Sequence, residues 1–288
     1  MEEEFLKFIP LDKSWIIRMG ILDLINKYND INKFLANQKN LGDDLIALKR
    51  VAEDWNSEKP LNVGESGTLY RFVRFILWKS RSSREIIKEG TLKTREICNN
   101  PEIIDWPISK LLTLDNHTSQ WASASVLMGN TEKPDLLPFK LKLTYEAIEH
   151  WTERRKNNQC WLPIYDITIE NQARAFIELL KTGKMDFQAK QPEDYCFARI
   201  FEIISPQEGE CTFPSLKSHE SNRIQEVEKA IQQSDNNQMV SSKDHRVVQA
   251  IVMRQIAQNK PVKIENPDCV TKSWPQFWDF IDYCKKLK

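Results

Sequence analysis

Residues 244–278 have the sequence DHRVVQAIVMRQIAQNKPVKIENPDCVTKSWPQFW, in which helical and β-like segments follow one another. An apolar run with the helical period predicts a helix at 244–258. A short β-like run follows at 261–265, and a second helix is predicted at 274–286. Short strands that alternate with helices of about 10–15 residues are typical of α/β layers, in which helices pack on sheets.

The same alternation extends toward the N-terminus. Helical periodicity recurs in segments of similar length, at 14–28, 43–55, 68–79, 119–128, 144–156, 171–181, 194–204 and 222–232. Short β-like runs are predicted between them, at 5–9, 62–63, 139–143, 162–168 and 211–213. The predicted fold class is therefore α/β along the whole chain.

The composition predicts a soluble globular protein. Hydrophobic residues make up 41% of the 288 residues, enough for one large domain or two smaller ones. The 41 basic residues equal the 41 acidic residues, and the chain has no long Lys or Arg run, which argues against nucleic acid as a partner. No apolar stretch approaches the length of a membrane span, so we expect no membrane partner either.

Cysteine usage and the first residues predict a cytoplasmic location. The six cysteines include no Cys-x-x-Cys pair, which fits reduced thiols. Met1 is followed by three glutamates, unlike the basic start of a signal peptide. None of the four histidines lies at ligand spacing from a cysteine, so a zinc site is not expected.

Several predicted helices begin with a polar or cationic cluster. Unpaired backbone N–H groups and the partial positive charge at a helix start attract anions, and a nearby Lys or Arg adds a full charge. If these starts converge they form an anion-binding site, whereas ordinary N-capping explains each of them taken singly. The clusters are Lys13-Ser14 with Arg18, Gly67-Thr68 with Arg71, Thr118-Ser119-Gln120, Glu220-Ser221-Asn222-Arg223, Asp244-His245-Arg246 and Lys272-Ser273.

The clusters belong to longer motifs that follow one another along the chain. The motifs are Pro10-Leu11-Asp12-Lys13-Ser14, Gly64-Glu65-Ser66-Gly67-Thr68, Thr118-Ser119-Gln120, Leu216-Lys217 with Glu220-Ser221-Asn222-Arg223-Ile224, and Asp244-His245-Arg246 with Cys269-Val270-Thr271-Lys272-Ser273-Trp274-Pro275. Taken in this order, the set resembles the motifs of EPSP synthases, the enolpyruvyl transferases of the shikimate pathway.

The resemblance implies a particular architecture, a two-domain inside-out α/β barrel built from βαβαββ units. Residues 10–167 would form the half that binds the shikimate phosphate. Residues 1–9 and 168–288 would form the phosphoenolpyruvate half, with helix starts of both halves directed at the cleft. Family members are longer than this chain, so units are expected to be missing or shortened.

The resemblance also implies a reaction of aromatic amino acid biosynthesis. The enolpyruvyl group of phosphoenolpyruvate would move to the 5-hydroxyl of shikimate 3-phosphate, with release of phosphate. The resemblance implies no metal or organic cofactor. The expected partners are small anionic substrates, and the chain is expected to be a monomer. Catalytic roles would fall to Lys13, Asp194 and Glu220. Substrates would be bound by Ser14, Arg18, Gly67, Thr68, Arg71, Thr118, Ser119, Gln120, Lys142, Tyr145, Arg223, Arg246 and Lys272.

Among the departures from the family pattern, two bear most on the implied reaction. Glu65 stands where the family has an amide next to the phosphate of phosphoenolpyruvate, and a carboxylate there repels that anion unless it is protonated or paired. Trp106 stands where the family has the Arg of an Arg-Pro pair, unless Arg95 supplies that cation. Two alternatives follow: a protein that binds a phosphorylated ligand without the transfer, and a transferase with a different acceptor.

Structural interpretations compete with these roles at several positions. Asp194, at the head of a predicted helix, would simply be its N-cap. The cationic residues would be solvated surface side chains, the usual fate of Lys and Arg. They are Lys13, Arg18, Arg71 and Lys272.

Overall fold

A computed structural model of the chain describes residues 2–133, 138–217 and 222–287. The chain forms two compact units. Met1–Pro10 together with Tyr165–Lys288 make up one of them, which we call the discontinuous unit, and Leu11–Ile164 make up the continuous unit. Most of the described residues are helical and a small sheet is present, so the α/β class holds in this coarse form.

The helices and strands follow one another along the chain. The discontinuous unit begins with α1 (Glu2–Leu6). The continuous unit contains α2 (Lys13–Ile25), α3 (Asp30–Ala36), α4 (Asp43–Asp54), β1 (Leu61–Asn62), α5 (Gly67–Lys79), β2 (Ile86–Ile87), α6 (Ile108–Leu111), α7 (Leu114–His117), α8 (Gln120–Leu127) and α9 (Phe139–Lys156). The discontinuous unit resumes with α10 (Ile167–Thr182), α11 (Tyr195–Ile200), α12 (Pro206–Thr212), α13 (Arg223–Asp235), α14 (His245–Ala257) and α15 (Phe277–Lys285). Short 3-10 helices lie at Gly90–Lys93, Pro101–Asp105, Pro192–Asp194, Pro214–Lys217 and Pro267–Lys272.

In the continuous unit, helices pack around one apolar core. α2 packs on α4 and α9, and α5 packs on α8. Phe72, Phe75 and Trp121 are fully buried there, and burying a side chain of this kind contributes about 1.5–3 kcal/mol. β1 and β2 pair in parallel with Leu61 opposite Ile86, and α5 is the crossover helix that such a pair requires.

In the discontinuous unit, α14 lies at the centre and is buried along nearly its whole length. α11, α13 and the 3-10 helix Pro267–Lys272 all pack on it. Apolar side chains alternate along α14 with polar ones that are also buried: His245, Arg246, Gln249, Arg254 and Gln255. Trp274 Nε1 donates a 2.6 Å hydrogen bond to the carbonyl oxygen of Phe8, which ties the N-terminal segment to this core.

Each helix predicted from periodicity is confirmed. α9 and α10 begin five and four residues before the predicted starts, at Phe139 and Ile167. α14 begins at His245 because Asp244 is its N-cap, with its side chain accepting from the N–H of Arg246. The predicted helix periods were therefore sound, and the differences lie at the helix ends.

Most of the predicted strands are wrong. The run at 139–143 forms the first turns of α9, the run at 5–9 overlaps α1, and the run at 211–213 overlaps the end of α12. The run at 162–168 forms no named strand and enters α10. The run at 62–63 coincides with part of β1, and that at 261–265 is reduced to one isolated bridge between Val240 and Ile264.

The barrel is not confirmed. Within the described residues the sheet has two strands, which is fewer than βαβαββ units contain. The other β residues there are isolated bridge residues, at positions 11, 165, 240 and 264. The described residues also include no helix that is both long and apolar enough to cross a membrane.

Candidate functional site

The start of α2 holds its predicted residues in local contacts. Asp12 caps the helix, since its Oδ1 accepts from Ser14 N at 2.8 Å and from Trp15 N at 3.1 Å. Lys13 Nζ lies 2.5 Å from Asp44 Oδ2, so the lysine is ion-paired and not simply solvated. The capping interpretation therefore holds for this helix start, and the charge of Lys13 is partly neutralised within the continuous unit.

Arg18 is buried, with only 2% of its surface exposed. Its Nε donates to Thr144 Oγ1 at 2.8 Å, and its Nη1 donates to the Ser14 carbonyl oxygen at 2.8 Å. The guanidinium also stacks 5.5 Å above the ring of Phe72. Burial lowers the pKa of Arg18 to about 10, against the raising effect of Asp12, so it keeps its charge at neutral pH. A solvated surface position for Arg18 is excluded.

Four side chains form a connected group at the start of α5, which we call the Arg71 cluster: Thr68, Arg71, Asp115 and Gln120. Arg71 Nε lies 2.6 Å from Asp115 Oδ2, and Arg71 Nη1 donates to Gln120 Oε1 at 2.7 Å. Gln120 Nε2 in turn donates to Thr68 Oγ1 at 2.8 Å. A Cβ at position 67 would lie 3.0 Å from Arg71 Nη1, so Gly67 leaves room for the guanidinium. The structure thus brings together four residues predicted to bind substrate: Gly67, Thr68, Arg71 and Gln120.

Other predicted residues of the continuous unit make separate contacts. Ser119 is buried at the N-cap of α8, and Thr118 Oγ1 accepts from Gln120 N at 3.4 Å. Lys142 is mostly exposed and lies 3.6 Å from Glu146, one helical turn on. The Tyr145 hydroxyl donates to the Glu132 carbonyl oxygen at 2.7 Å. Burial, and then the charge of Glu132, raises the pKa of Tyr145.

Glu65, the first departure from the family pattern, is hydrogen-bonded to a neutral residue of the continuous unit. Glu65 Oε2 accepts from Thr91 N at 3.3 Å and from Thr91 Oγ1 at 3.0 Å. A Cβ at position 90 would lie 1.7 Å from Glu65 Oε1, and Gly90 has a φ of +44°, so this arrangement requires glycine there. Arg95 Nη2 donates to the same Thr91 Oγ1 at 3.1 Å.

Arg95, and not Trp106, adjoins the loop at Gly67. Arg95 Nη1 lies 3.5 Å from the point that a Cβ of residue 67 would occupy. Trp106 instead has the ammonium group of Lys110 3.4 Å above its ring. It lines a cavity of about 320 Å³ together with Phe75, Lys79, Ile104, Asp105, Ser125, Met128, Gly129 and Asn130. Arg95 is therefore the cationic side chain that lies beside this loop, and its replacement of the family cation stays a prediction.

In the discontinuous unit, Asp244 joins two predicted arginines. Its Oδ2 lies 2.8 Å from Arg223 Nε, and its Oδ1 accepts from the backbone N–H of Arg246 at 3.0 Å. Burial alone would raise the pKa of Asp244, but the charges of Arg223 and His245 outweigh it, and the resulting pKa is about 2. Asp244 is thus ionised at neutral pH and holds Arg223 at the start of α14.

Arg246 is a predicted residue with a buried nitrogen that lacks a hydrogen-bond acceptor in the described residues. It is 8% exposed, and its Nη1 is buried with no hydrogen-bond partner in the described part of the chain. A buried cationic N–H group without an acceptor loses its hydration and gains nothing in return. Because Arg246 also lies in the first turn of α14, where the helix dipole is positive, an anion is the partner that would satisfy it.

The Asp194 side chain belongs to the capping box of the 3-10 helix Pro192–Asp194 and accepts no capping hydrogen bond from α11, at whose N-cap it lies. Its Oδ2 accepts from Lys190 N at 3.0 Å and from Gln191 N at 3.2 Å, and its Oδ1 accepts from Gln172 Nε2 at 3.2 Å. Burial raises the pKa of Asp194, against the lowering effects of these hydrogen bonds and of Arg246. The charge of Arg246 therefore reaches Asp194, but three donors already occupy the carboxylate.

Lys272 ends the 3-10 helix Pro267–Lys272, which is fastened to α14. Gln249 Nε2 donates to the Val270 carbonyl oxygen at 3.2 Å and to Ser273 Oγ at 3.1 Å. Burial raises the pKa of Cys269 to about 11, with a further rise from Asp244 and a lowering by Lys272. Lys272 and Asp244 therefore act on the same thiol.

Glu220, the third predicted catalytic residue, belongs to residues 218–221, which lie outside the described residues.

The acidic partners of these cations were not predicted from the sequence. Asp44 pairs with Lys13 and Asp115 with Arg71, and each partner lies more than thirty residues away in the chain. The Asp115-Asn116 dipeptide carried one signal, since these residue types tolerate left-handed backbone. Asp244 was recognised as part of a motif, but its ion pair with Arg223 was not predicted.

The discontinuous unit thus contains, in the first turn of α14, a buried arginine whose unsatisfied Nη1 is suited to binding an anionic group. Residues 216–281 match the family model of EPSP synthase (3-phosphoshikimate 1-carboxyvinyltransferase), and the matched segment contains Arg223, Asp244, Arg246 and Lys272. The predicted resemblance to this family is confirmed by a partial match, which covers less than a quarter of the chain. The comparisons with curated proteins and with solved structures give no match.

Proposed function

We propose that the chain is an enolpyruvyl (carboxyvinyl) transferase. The 5-hydroxyl of shikimate 3-phosphate would attack C2 of phosphoenolpyruvate while C3 takes up a proton. Loss of that C3 proton together with phosphate would then leave the enolpyruvyl ether. Both substrates are anions, so the reaction depends on cations and on oriented donors that neutralise them.

The observation that carries this proposal is the unsatisfied Nη1 of Arg246. The group is buried, charged and at the start of α14, which gives an incoming carboxylate or phosphate a hydrogen-bond donor that no described residue uses. Arg223, Arg246 and Lys272 all lie within the segment that matches the family model. We infer that this unit binds phosphoenolpyruvate and that residues 10–167 bind shikimate 3-phosphate.

The remaining roles follow from the chemistry of the side chains. Lys13 and Glu220 are the candidates for proton transfer at the methylene carbon, since a carboxyl group and an ammonium group can each exchange a proton there. Asp194 would orient the attacking hydroxyl through its partly used carboxylate, whose pKa burial raises. Arg18 would act as a buried positive charge near Ser14 and Thr144.

Replacing Arg246 is the first test. In an assay of phosphate release from phosphoenolpyruvate and shikimate 3-phosphate, Arg246→Ala should lower the rate at least about 100-fold, because it removes charge-assisted hydrogen bonds worth about 1.5–3 kcal/mol each. Arg254→Ala is the matched control. Arg254 lies on the same helix, is also 8% exposed, and is paired 2.7 Å from Asp235 at the other end.

The two variants separate binding chemistry from folding. Arg254→Ala should lose stability but keep phosphate release at temperatures where circular dichroism shows native helix content. If folded wild-type protein releases no phosphate above the rate without protein, transfer to shikimate 3-phosphate is excluded. Equal losses in Arg246→Ala and Arg254→Ala would show that Arg246 has no specific role.

A second candidate function is anion binding without transfer. It is favoured by the ion pairs of Lys13 with Asp44 and of Arg71 with Asp115, which neutralise predicted cations of the continuous unit. In that case phosphoenolpyruvate should raise the melting temperature of the wild type while phosphate release stays at background. An unchanged melting temperature with phosphoenolpyruvate and with shikimate 3-phosphate would exclude this function too.

A further inference from the structure

Three consecutive residues of the continuous unit have left-handed backbone. Asp115 has φ 47° and ψ 55°, Asn116 has φ 60° and ψ 44°, and His117 has φ 61°. None of them is glycine, and a left-handed turn brings the Cβ of an L-residue too close to the following carbonyl oxygen. Such conformations persist where the surrounding structure imposes them, and they concentrate at functional sites.

The turn directs one buried carboxylate at three donors. The Asp115 side chain is 6% exposed. Its Oδ2 accepts from Arg71 Nε at 2.6 Å and from Trp121 Nε1 at 2.8 Å, and its Oδ1 accepts from the Cys98 N–H at 2.8 Å. These bonds link α5, α8 and the segment before α6 to a single side chain, which is a reason for the unfavourable backbone.

Asp115 also determines which part of Arg71 remains available. Nε is used by Asp115, and Nη1 is shared by the Gly67 carbonyl oxygen at 3.1 Å and Gln120 Oε1 at 2.7 Å. Nη2 makes no hydrogen bond within the described residues, and 10% of the Arg71 side chain stays exposed. The guanidinium is therefore fixed on two of its nitrogens with the third left over as a donor.

We propose that Asp115 is a positioning residue, which the left-handed turn of α7 places so that Arg71 presents Nη2 to a bound anion. Through Arg71 it also aligns Gln120 and Thr68, the other polar members of the Arg71 cluster. The ligand class, a phosphorylated ring acid such as shikimate 3-phosphate, rests on the proposed function. The contact between Asp115 and Arg71 does not.

The binding test compares two buried aspartates of the same unit. Asp23 is the matched control, since it is fully buried and accepts from Arg154 Nη2 and from the indole nitrogens of Trp151 and Trp161. Asp115→Asn should weaken binding of shikimate 3-phosphate about 10-fold in titration calorimetry, because it loses a charge-assisted bond to Arg71. Asp23→Asn should lower the melting temperature but leave that affinity within about 2-fold.

The pairing test needs no ligand. Melting temperatures are measured for Asp115→Asn, Arg71→Met and the double variant. The melting temperature of the double variant should fall by less than the sum of the two single decreases, since each single change already breaks the same ion pair. Additive losses would overturn the proposal even if no ligand binds.

The two tests fail in different ways. If the wild type binds no shikimate 3-phosphate, the proposed function fails and the double-variant comparison alone decides whether Asp115 holds Arg71. If the wild type binds the ligand and Asp115→Asn binds it equally well, the positioning role is wrong while the proposed function stands. A 10-fold loss in both Asp115→Asn and Asp23→Asn would reduce Asp115 to a purely structural residue.

Discussion

Asp244 separates the electrostatic roles of two neighbouring arginines. Its side chain neutralises that of Arg223 at 2.8 Å, whereas it contacts Arg246 through the backbone N–H. The guanidinium of Arg246 therefore keeps a positive charge with an unsatisfied Nη1. In the proposed reaction, a substrate anion would satisfy this donor of Arg246.

The pH dependence of stability should reveal the pair of Asp244 and Arg223. The folded-state pKa of Asp244 is about 2, below its ordinary value of 3.8. The stability that ionised Asp244 contributes to the fold is therefore present above about pH 4 and is lost as the pH falls through the folded-state pKa. As the pH falls from 5 to 2, the free energy of unfolding of the wild type should decrease by about 2 kcal/mol more than that of Asp244→Asn. Urea unfolding at both pH values measures the two decreases.

Asp235→Asn provides the comparison for that measurement. Asp235 also pairs with an arginine, Arg254, but its side chain is 46% exposed, so its carboxylate is screened by solvent. Asp235→Asn should reduce the acid-induced fall in the free energy of unfolding less than Asp244→Asn does. If the wild type and Asp244→Asn lose stability in parallel as the pH falls, the ion pair does not stabilise the fold.

At the scale of the element, α7 carries strain that a substitution can relieve. His117 is exposed and has a φ of 61°, where a side chain costs about 1 kcal/mol relative to glycine. His117→Gly should therefore raise the free energy of unfolding by about 0.5–1 kcal/mol, measured by urea unfolding. His117→Ala keeps the Cβ and should give no gain. A loss of stability in His117→Gly would show that this backbone is not strained.

The helices could be predicted because their apolar periods extend over ten or more residues. The strands could not, because runs of five residues fit either period. Phe139, Leu141 and Leu143 alternate with lysines, which is the pattern of a strand. They nevertheless form the first turns of α9, the helix that was predicted to begin at Thr144. Likewise, residues 5–9 are too short for the sequence to distinguish a strand from α1.

The candidate site was predictable in its cations but not in their partners. Arg18, Arg71, Arg223 and Arg246 were identified from motifs, and the structure finds all of them buried. Their acceptors depend on tertiary packing. Thr144 reaches Arg18 from more than a hundred residues away, and Asp115 reaches Arg71 only through a left-handed turn. Local sequence patterns can indicate the left-handed turn, but they do not identify which distant residues pair.

On the scale of the whole molecule, each unit has its own apolar core. The core of the continuous unit draws on residues 16–141, and that of the discontinuous unit joins residues 5–9 to residues 169–284. The discontinuous unit therefore depends on chain segments that are far apart in sequence. Phe5, Phe8 and Ile9 are all buried there.

Phe8 should be essential to the discontinuous unit. It is 8% exposed, its ring lies 5.0 Å from that of Tyr283 and 6.3 Å from that of Phe280, and its carbonyl oxygen accepts from Trp274. Phe8→Ala should lower the free energy of unfolding by about 3 kcal/mol, since it opens a cavity but keeps the backbone acceptor. Met239→Ala, at a side chain that is 55% exposed in the same unit, should change it by less than about 0.5 kcal/mol. Urea unfolding followed by tryptophan fluorescence measures both, and equal stability of the two variants would mean that residues 5–9 merely lie on the surface of an independently stable core.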